Sequence, residues 1–162
     1  MNTVVATCLP RRKLLPAVIA ALALAIAPRP LPAAFTWDGG GGNNRWTTNN
    51  NWNPNGAPSA GTLNDFIFGG TTRTTNSANG ATPWEVNSIT FNNTAGAFVI
   101  SGTQLNLQAG GVTNNDTQTQ TINNDIVLQA TATFNANSGA LTLGGIIDGA
   151  FGITKTGTNT LT

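Results

Sequence analysis

The chain has no histidine and no tyrosine, and only one cysteine in 162 residues. Lack of histidine excludes a histidine general base, a Ser-His-Asp triad and any zinc site built on imidazole. Charge is scarce too: seven basic and six acidic residues amount to 8% of the chain. Four of the cations, Arg11, Arg12, Lys13 and Arg29, precede residue 35. The rest of the chain holds Arg45, Arg73 and Lys155 against Asp38, Asp65, Glu85, Asp116, Asp125 and Asp148. A body this weakly acidic has no positive field for a phosphate backbone, which argues against nucleic acid as a partner. Hydrophobic residues still reach 40%, so the chain is not a charge-driven disordered one. Its length bounds it at one modest domain.

Residues 1–34 read as a secretory signal peptide. Arg11-Arg12-Lys13 form a positive n-region, Leu14 to Ala27 an apolar run, and Ala33 and Ala34 a small-residue cleavage site. Ala25-Ile26-Ala27 offers another cut, but Pro28 follows it and hinders cleavage. An apolar run of about 14 residues is shorter than the roughly 20 that span a bilayer. The arginine pair only loosely resembles a twin-arginine signal. Cys8 lies ahead of the apolar run, so it is no lipoprotein cysteine and leaves with the leader. The mature chain then has no disulfide and depends on packing and backbone pairing.

Residues 35–83 form a Trp/Gly/Asn-rich N-terminal capping region, with Trp37, Trp46 and Trp52 set among turn residues. Its clear apolar alternations are Phe35/Trp37 and Phe66/Phe68, and Gly69–Pro83 reads as a surface connection. From Trp84 to residue 162 the pattern is regular. Val86, Ile89 and Phe91, then Phe98 to Ile100, Leu105/Leu107, Ile122, Ile126/Leu128, Phe134, Leu141/Leu143, Ile146-Ile147, Ile153 and Leu161 make short apolar runs. Alternation at i and i+2 is the period of strands with one buried face. Gly, Asn or Asp closes almost every run. No stretch after the leader has a 3.6-residue apolar stripe, so helix should be nearly absent.

A shift of 36 residues places Phe98 on Phe134, Leu105 on Leu141, Leu107 on Leu143 and Val86 on Ile122. A fixed period in this range marks stacked repeats, and 36 residues reads as two coils. Strands of about 3–6 residues with tight Gly/Asn corners suit a solenoid better than the longer strands of a sandwich. Each strand then pairs with its counterpart one turn above, about 4.8 Å away. Asn and Thr ladders satisfy their own polar groups along the axis. The expected fold is all-β, a right-handed parallel β-helix in which several coils must stack to bury one core.

Two segments then resemble a known family. Thr36-Trp37-Asp38-Gly39-Gly40-Gly41, Asn44-Arg45-Trp46, Asn51-Trp52 and Asp65-Phe66-Ile67-Phe68 resemble the opening of secreted bacterial proteins with autotransporter-associated β-strand repeats. Leu141-Thr-Leu143-Gly144-Gly145 with Gly152-Ile153-Thr154-Lys155-Thr156-Gly157-Thr158-Asn159-Thr160-Leu161-Thr162 resembles the repeat itself, with Ile153 for a Leu, Phe151 for a Gly and Asn159 for a Gly. The resemblance implies a β-helical passenger or stalk, secreted or displayed on a bacterial surface. Because Thr162 falls inside the motif, the chain reads as an N-terminal fragment continued by further repeats, with an open strand edge at its end.

The candidate chemical groups have plainer readings beside them. Trp37, Trp46, Trp52 and Trp84 could stack on sugars, but their position ahead of the repeats fits an end cap. Asp38 with Gly39–Gly42, Asn115-Asp116 and Asn124-Asp125 could offer oxygens to calcium, yet too few carboxylates converge in sequence, and corner residues explain them. Lys155-Thr156-Gly157 has no accompanying S-x-x-K, and the Gly39–Gly42 run lacks the Lys-Ser/Thr of a P-loop and reads as a flexible turn. Asn92-Asn93-Thr94 and Asn115-Asp116-Thr117 fit the glycosylation pattern, which carries little meaning in a bacterium. Asp38, Asp65 and Asp148 could pair as glycosidase acids only if the fold brought them together.

The expectation is therefore a non-enzymatic, structural or adhesive segment with no catalytic, cofactor or metal residues. Its expected partners are a surface polysaccharide or a host or neighbouring cell surface, with membrane contact only through the leader. The alternatives are a carbohydrate-binding module or a polysaccharide-degrading enzyme on the same scaffold.

Overall fold

The computed structural model describes residues 31–162. The positive n-region, the apolar run and Cys8 of the expected leader lie outside the described residues. Those described form a nearly all-β parallel solenoid of about four turns. Its strands are β1 (Ala33–Trp37), β2 (Trp52–Asn53), β3 (Asn64–Phe68), β4 (Thr75–Ala78), β5 (Trp84–Phe91), β6 (Val99–Gly102) and β7 (Leu105–Asn114). They continue as β8 (Gln120–Ile122), β9 (Ile126–Leu128), β10 (Ala132–Ala136), β11 (Leu141–Leu143), β12 (Ile147–Asp148) and β13 (Ile153–Thr156). One 3-10 turn, Asn49–Asn51, precedes β2.

The two-residue alternation sets the inside and the outside. In β3, Asn64, Phe66 and Phe68 are buried while Asp65 and Ile67 face outward, and β10 repeats this with Ala132, Phe134 and Ala136. Stacking then aligns like positions. Phe35, Phe66, Ile89, Val112 and Phe134 form one inward row, a residue per coil. Trp84, Leu105, Ile126 and Ile147 form another. One sheet runs β12-β9-β7-β5-β3-β1-β2, with β10 and β13 joined through β7. The other runs β11-β8-β6-β4, and the core lies between them.

The spacing of the coils corrects the expected period. Trp84 stacks on Leu105, Leu105 on Ile126 and Ile126 on Ile147, steps of 21 residues, and Thr75 stacks on Val99, a step of 24. A shift of 36 is thus not two coils. It carries Leu105 of the first sheet onto Leu141 of the second, so the match superimposes different faces that share one alternation. Two strands also exceed the expected length, β5 with eight residues and β7 with ten.

Parallel stacking begins upstream of Trp84. β1 pairs with β3, β3 with β5 and β4 with β6, so residues 35–83 supply a first coil as well as a cap. β4 falls inside the stretch expected as a surface connection. Its inward residues are Asn76 and Ala78, too polar and too small to show as an apolar run.

One corner opens progressively along the axis. Asn64, Val86, Leu107 and Leu128 stack on one side of it, and Phe66, Ile89, Val112 and Phe134 on the other. The residues between grow from Asp65 alone to Asn87-Ser88, then Gln108–Gly111, then Gln129–Thr133. The straight strand β3 has become two separate strands, β9 and β10. Gly111, with φ of 66°, takes a left-handed turn in this corner.

Candidate functional site

The four tryptophans close the N-terminal end from inside. Trp37, Trp46, Trp52 and Trp84 are each at most 1% exposed. Asn44 and Trp46 lie beneath β4: the Ser77 N–H donates to the Asn44 carbonyl and the Trp46 N–H to the Ser77 carbonyl. β2 runs antiparallel along β1 and occupies its outer edge, with Trp37 opposite Trp52. Trp46 stands at the centre, its ring centroid 4.5 Å from Phe66, 5.2 Å from Trp84 and 5.6 Å from Trp52. Its Nε1 donates to Asn76 Oδ1 at 2.9 Å, and Trp52 Nε1 donates to the Trp46 carbonyl at 2.7 Å. None of the four indoles offers a face on which a sugar could stack. Asn76 Nδ2 and Trp84 Nε1 are buried without a hydrogen-bond partner.

The Gly39–Gly42 run is part of this cap rather than a flexible turn. The Gly40 N–H donates to Asp38 Oδ1 and the Gly41 N–H to Asn51 Oδ1, both at 2.9 Å. A side chain at Gly41 would meet Asn51 Oδ1 and Thr48. Asn51 Nδ2 in turn donates to the carbonyls of Asn43 and Arg45, so one buried amide knots the loop together.

The six carboxylates are distributed around the solenoid, each accepting a hydrogen bond from a neighbour. Asp65 Oδ1 accepts from Asn87 Nδ2 at 2.7 Å and Ser88 Oγ at 2.6 Å, one coil above. Glu85 Oε1 accepts from Asn106 Nδ2 at 2.7 Å, again across a coil. Asp125 Oδ1 takes the Ile146 N–H, Asp116 Oδ1 the Gln118 N–H and Asp148 Oδ1 the Gly149 N–H. Among the described residues no three acidic or cysteine side chains gather as a metal cluster would. Asn115 belongs to a ladder at a corner, where Asn137 Nδ2 donates to its Oδ1 and Asn159 Nδ2 donates to the Asn137 carbonyl. Asn92 and Asn93-Thr94 turn the same corner one coil below, with Asn92 Oδ1 accepting from the Thr94 N–H and hydroxyl. Asn124 Nδ2 donates to the Thr103 carbonyl, buried inside another corner.

Apart from Leu31 at the start of the described residues, the large apolar side chains that meet water lie in the last coil. Ile146, Phe151 and Ile153 are 71%, 49% and 43% exposed. A shallow hollow of about 330 Å³ lies there among Leu128, Ile147, Asp148, Gly149, Phe151 and Ile153, beside the widened corner. Asp148 is its only carboxylate. Lys155 is in register with Phe134, so it takes the inward row that is apolar in every coil below. Its Nζ donates to the Gly157 carbonyl at 2.7 Å. The Lys155-Thr156-Gly157 triplet is thus strand β13 and its corner.

Sequence reading did not find the inward polar residues Asn51, Asn64, Asn76, Asn114, Gln120 and Asn124, all buried. The signal was present in part, since Asn114 and Gln120 occupy the alternating positions of their strands. Their partners are backbone groups far away in sequence: Asn114 Nδ2 reaches the Ala140 carbonyl, and Gln120 Oε1 accepts from the Phe98 N–H. No family model, no curated protein and no solved structure matches this chain.

Proposed function

We propose that this chain is a non-enzymatic, secreted or cell-surface stalk segment of the kind that autotransporter-associated repeats build. Its task is to hold whatever lies beyond it at a distance, and its partners are a surface polysaccharide or another cell. The observation that carries the reading is the use of the carboxylates. Each of the six is engaged by a hydrogen bond from its own corner or from an adjoining coil, which serves stacking. A glycoside-cleaving site needs two carboxyl groups facing one substrate space, and the hollow at the C-terminal end has one.

The test has two arms. An epitope tag at the exposed Ala109-Gly110 corner is probed by antibody on intact and permeabilised bacterial cells expressing the chain. The purified chain is incubated with a panel of bacterial and plant polysaccharides. The reading expects labelling of intact cells and no release of reducing ends. Labelling only after permeabilisation would remove the surface role, and sugar release lost in Asp148→Asn would replace the stalk with an enzyme.

A further inference from the structure

We propose that the surface polysaccharide inferred above, on which this reading rests, is a linear polymer bearing free amines, and that it docks on the outward face of β5, β7 and β9. Register sets the face out. Glu85, Asn106 and Val127 stack as its middle outward row, and Gln104 and Asp125 flank that row on one side. Asp65 and Asn87 border it at the widening corner, where Asn87 Nδ2 donates to Asp65 Oδ1. The strands concerned, β3, β5, β7 and β9, each have a coil on both sides, so nothing at either end of the solenoid enters this face.

The charge here is uncompensated. Asp65 Oδ1 accepts from Asn87 Nδ2 and Ser88 Oγ, Glu85 Oε1 from Asn106 Nδ2, and Asp125 Oδ1 from the Ile146 N–H, all neutral donors. Those bonds fix one oxygen of each carboxyl group and leave the other to water. The three cations of the described residues lie elsewhere. Arg45 bridges to Ser77 in the second sheet, Arg73 Nε donates to the Gly39 carbonyl in the cap, and Lys155 stacks on Phe134 in the inward row. Adjacent coils are about 4.8 Å apart, inside the Debye length of about 8 Å at physiological salt, so the fields of Asp65 and Glu85 add. A polycation is attracted to this face and an anionic glycan is repelled.

Shape favours a sugar chain over a basic peptide. The strands of this face spend their backbone N–H and carbonyl groups on the coils beside them, so a peptide finds no strand edge to join. A linear glycan whose sugars repeat near the rung spacing can set amines over Asp65, Glu85 and Asp125 in turn. Its hydroxyls then meet the amides between them, which already form a relay: Gln104 Nε2 donates to Asn106 Oδ1, and Asn106 Nδ2 to Glu85 Oε1. Weak contacts repeated along one polymer act together as a multivalent attachment.

Titration calorimetry of the full chain would use a β-1,4-linked glucosamine hexamer, its fully N-acetylated counterpart and hexalysine, at a mildly acidic pH that charges the sugar amines. The glucosamine hexamer should bind at least about tenfold more tightly than the acetylated one, and salt should weaken it. Asp65→Asn, Glu85→Gln and Asp125→Asn together keep an acceptor oxygen at each hydrogen bond, and should remove that preference with the circular dichroism of the parent. Asp125 is exposed, and Asp125→Lys alone should weaken binding at least about threefold. The pair Asp38→Asn and Asp116→Asn, which removes charge from the cap and from another corner, should leave binding unchanged. Equal binding of the two sugar hexamers, binding of neither, an equal loss in the Asp38 and Asp116 pair, or tighter binding of hexalysine would each overturn the proposal. Binding is read in solution, so cell labelling only after permeabilisation would remove the surface role of the stalk without altering this result.

Discussion

Replacing Trp46 with alanine should cost this fold more than any other single truncation in the cap. The indole is fully buried and packs against Phe66, Trp52, Trp84 and Phe68. Truncating a buried Trp to Ala costs about 3–5 kcal/mol in lost transfer energy and residual cavity. The indole also supplies the hydrogen bond to Asn76 Oδ1, and Asn76 Nδ2 already has no partner. The variant therefore buries a wholly unpartnered amide, adding about 1–3 kcal/mol. A loss of about 4–8 kcal/mol is a large share of the roughly 5–15 kcal/mol that holds a domain together. Urea unfolding followed by far-ultraviolet circular dichroism would measure it without depending on the deleted fluorophore. Trp46→Phe retains the ring against Phe66 and loses the hydrogen bond, so it should cost about 1–3 kcal/mol. A loss under about 1 kcal/mol for Trp46→Ala would refute the view that this residue seals the end of the core.

Other positions give sharper local tests. Gly111→Ala should cost at least about 2 kcal/mol, because the left-handed φ of 66° penalises any Cβ and the added methyl would collide with the Thr133 carbonyl. Gly42→Ala, with open space around it, should change stability by less than about 0.5 kcal/mol in the same melts. The native chain should fluoresce with blue-shifted tryptophan emission and resist acrylamide quenching, since all four indoles are at most 1% exposed. Quenching like that of free tryptophan would show the cap open in solution. Asn137→Ala removes one rung of an exposed amide ladder and should cost only about 0.5–1 kcal/mol, seen as a small shift in the urea midpoint.

The strand-and-corner character of this chain is legible in its alternation. Val86, Ile89 and Phe91 announce β5, and Leu141 and Leu143 announce β11, because inward apolar side chains recur every second residue. The coil length is harder to read, because alternation is the same on every face: Leu105 and Leu141 look alike but lie in different sheets. β4 was hidden for the converse reason, as Asn76 is buried through its bond to Trp46 and Ala78 contributes little hydrophobic signal. The cap could be anticipated from tryptophans placed ahead of the repeats. Lys155 could not be assigned to the inward row until register paired it with Phe134, since a Thr-Lys-Thr run reads as solvent-facing in isolation.

The widening corner also governs where this architecture can grow. Between Asn64 and Phe66 there is room for one residue, yet Gln129–Thr133 fill the same position two coils beyond Asn87-Ser88 without displacing the rows on either side. The seam thus absorbs changes in length while the buried rows keep their alignment. Loops grafted there on successive coils would emerge one above another, about 4.8 Å apart, as a continuous fin along a single side. A fibre bearing such a crest would owe its outer contour to insertions of a few residues, while its interior stayed unchanged.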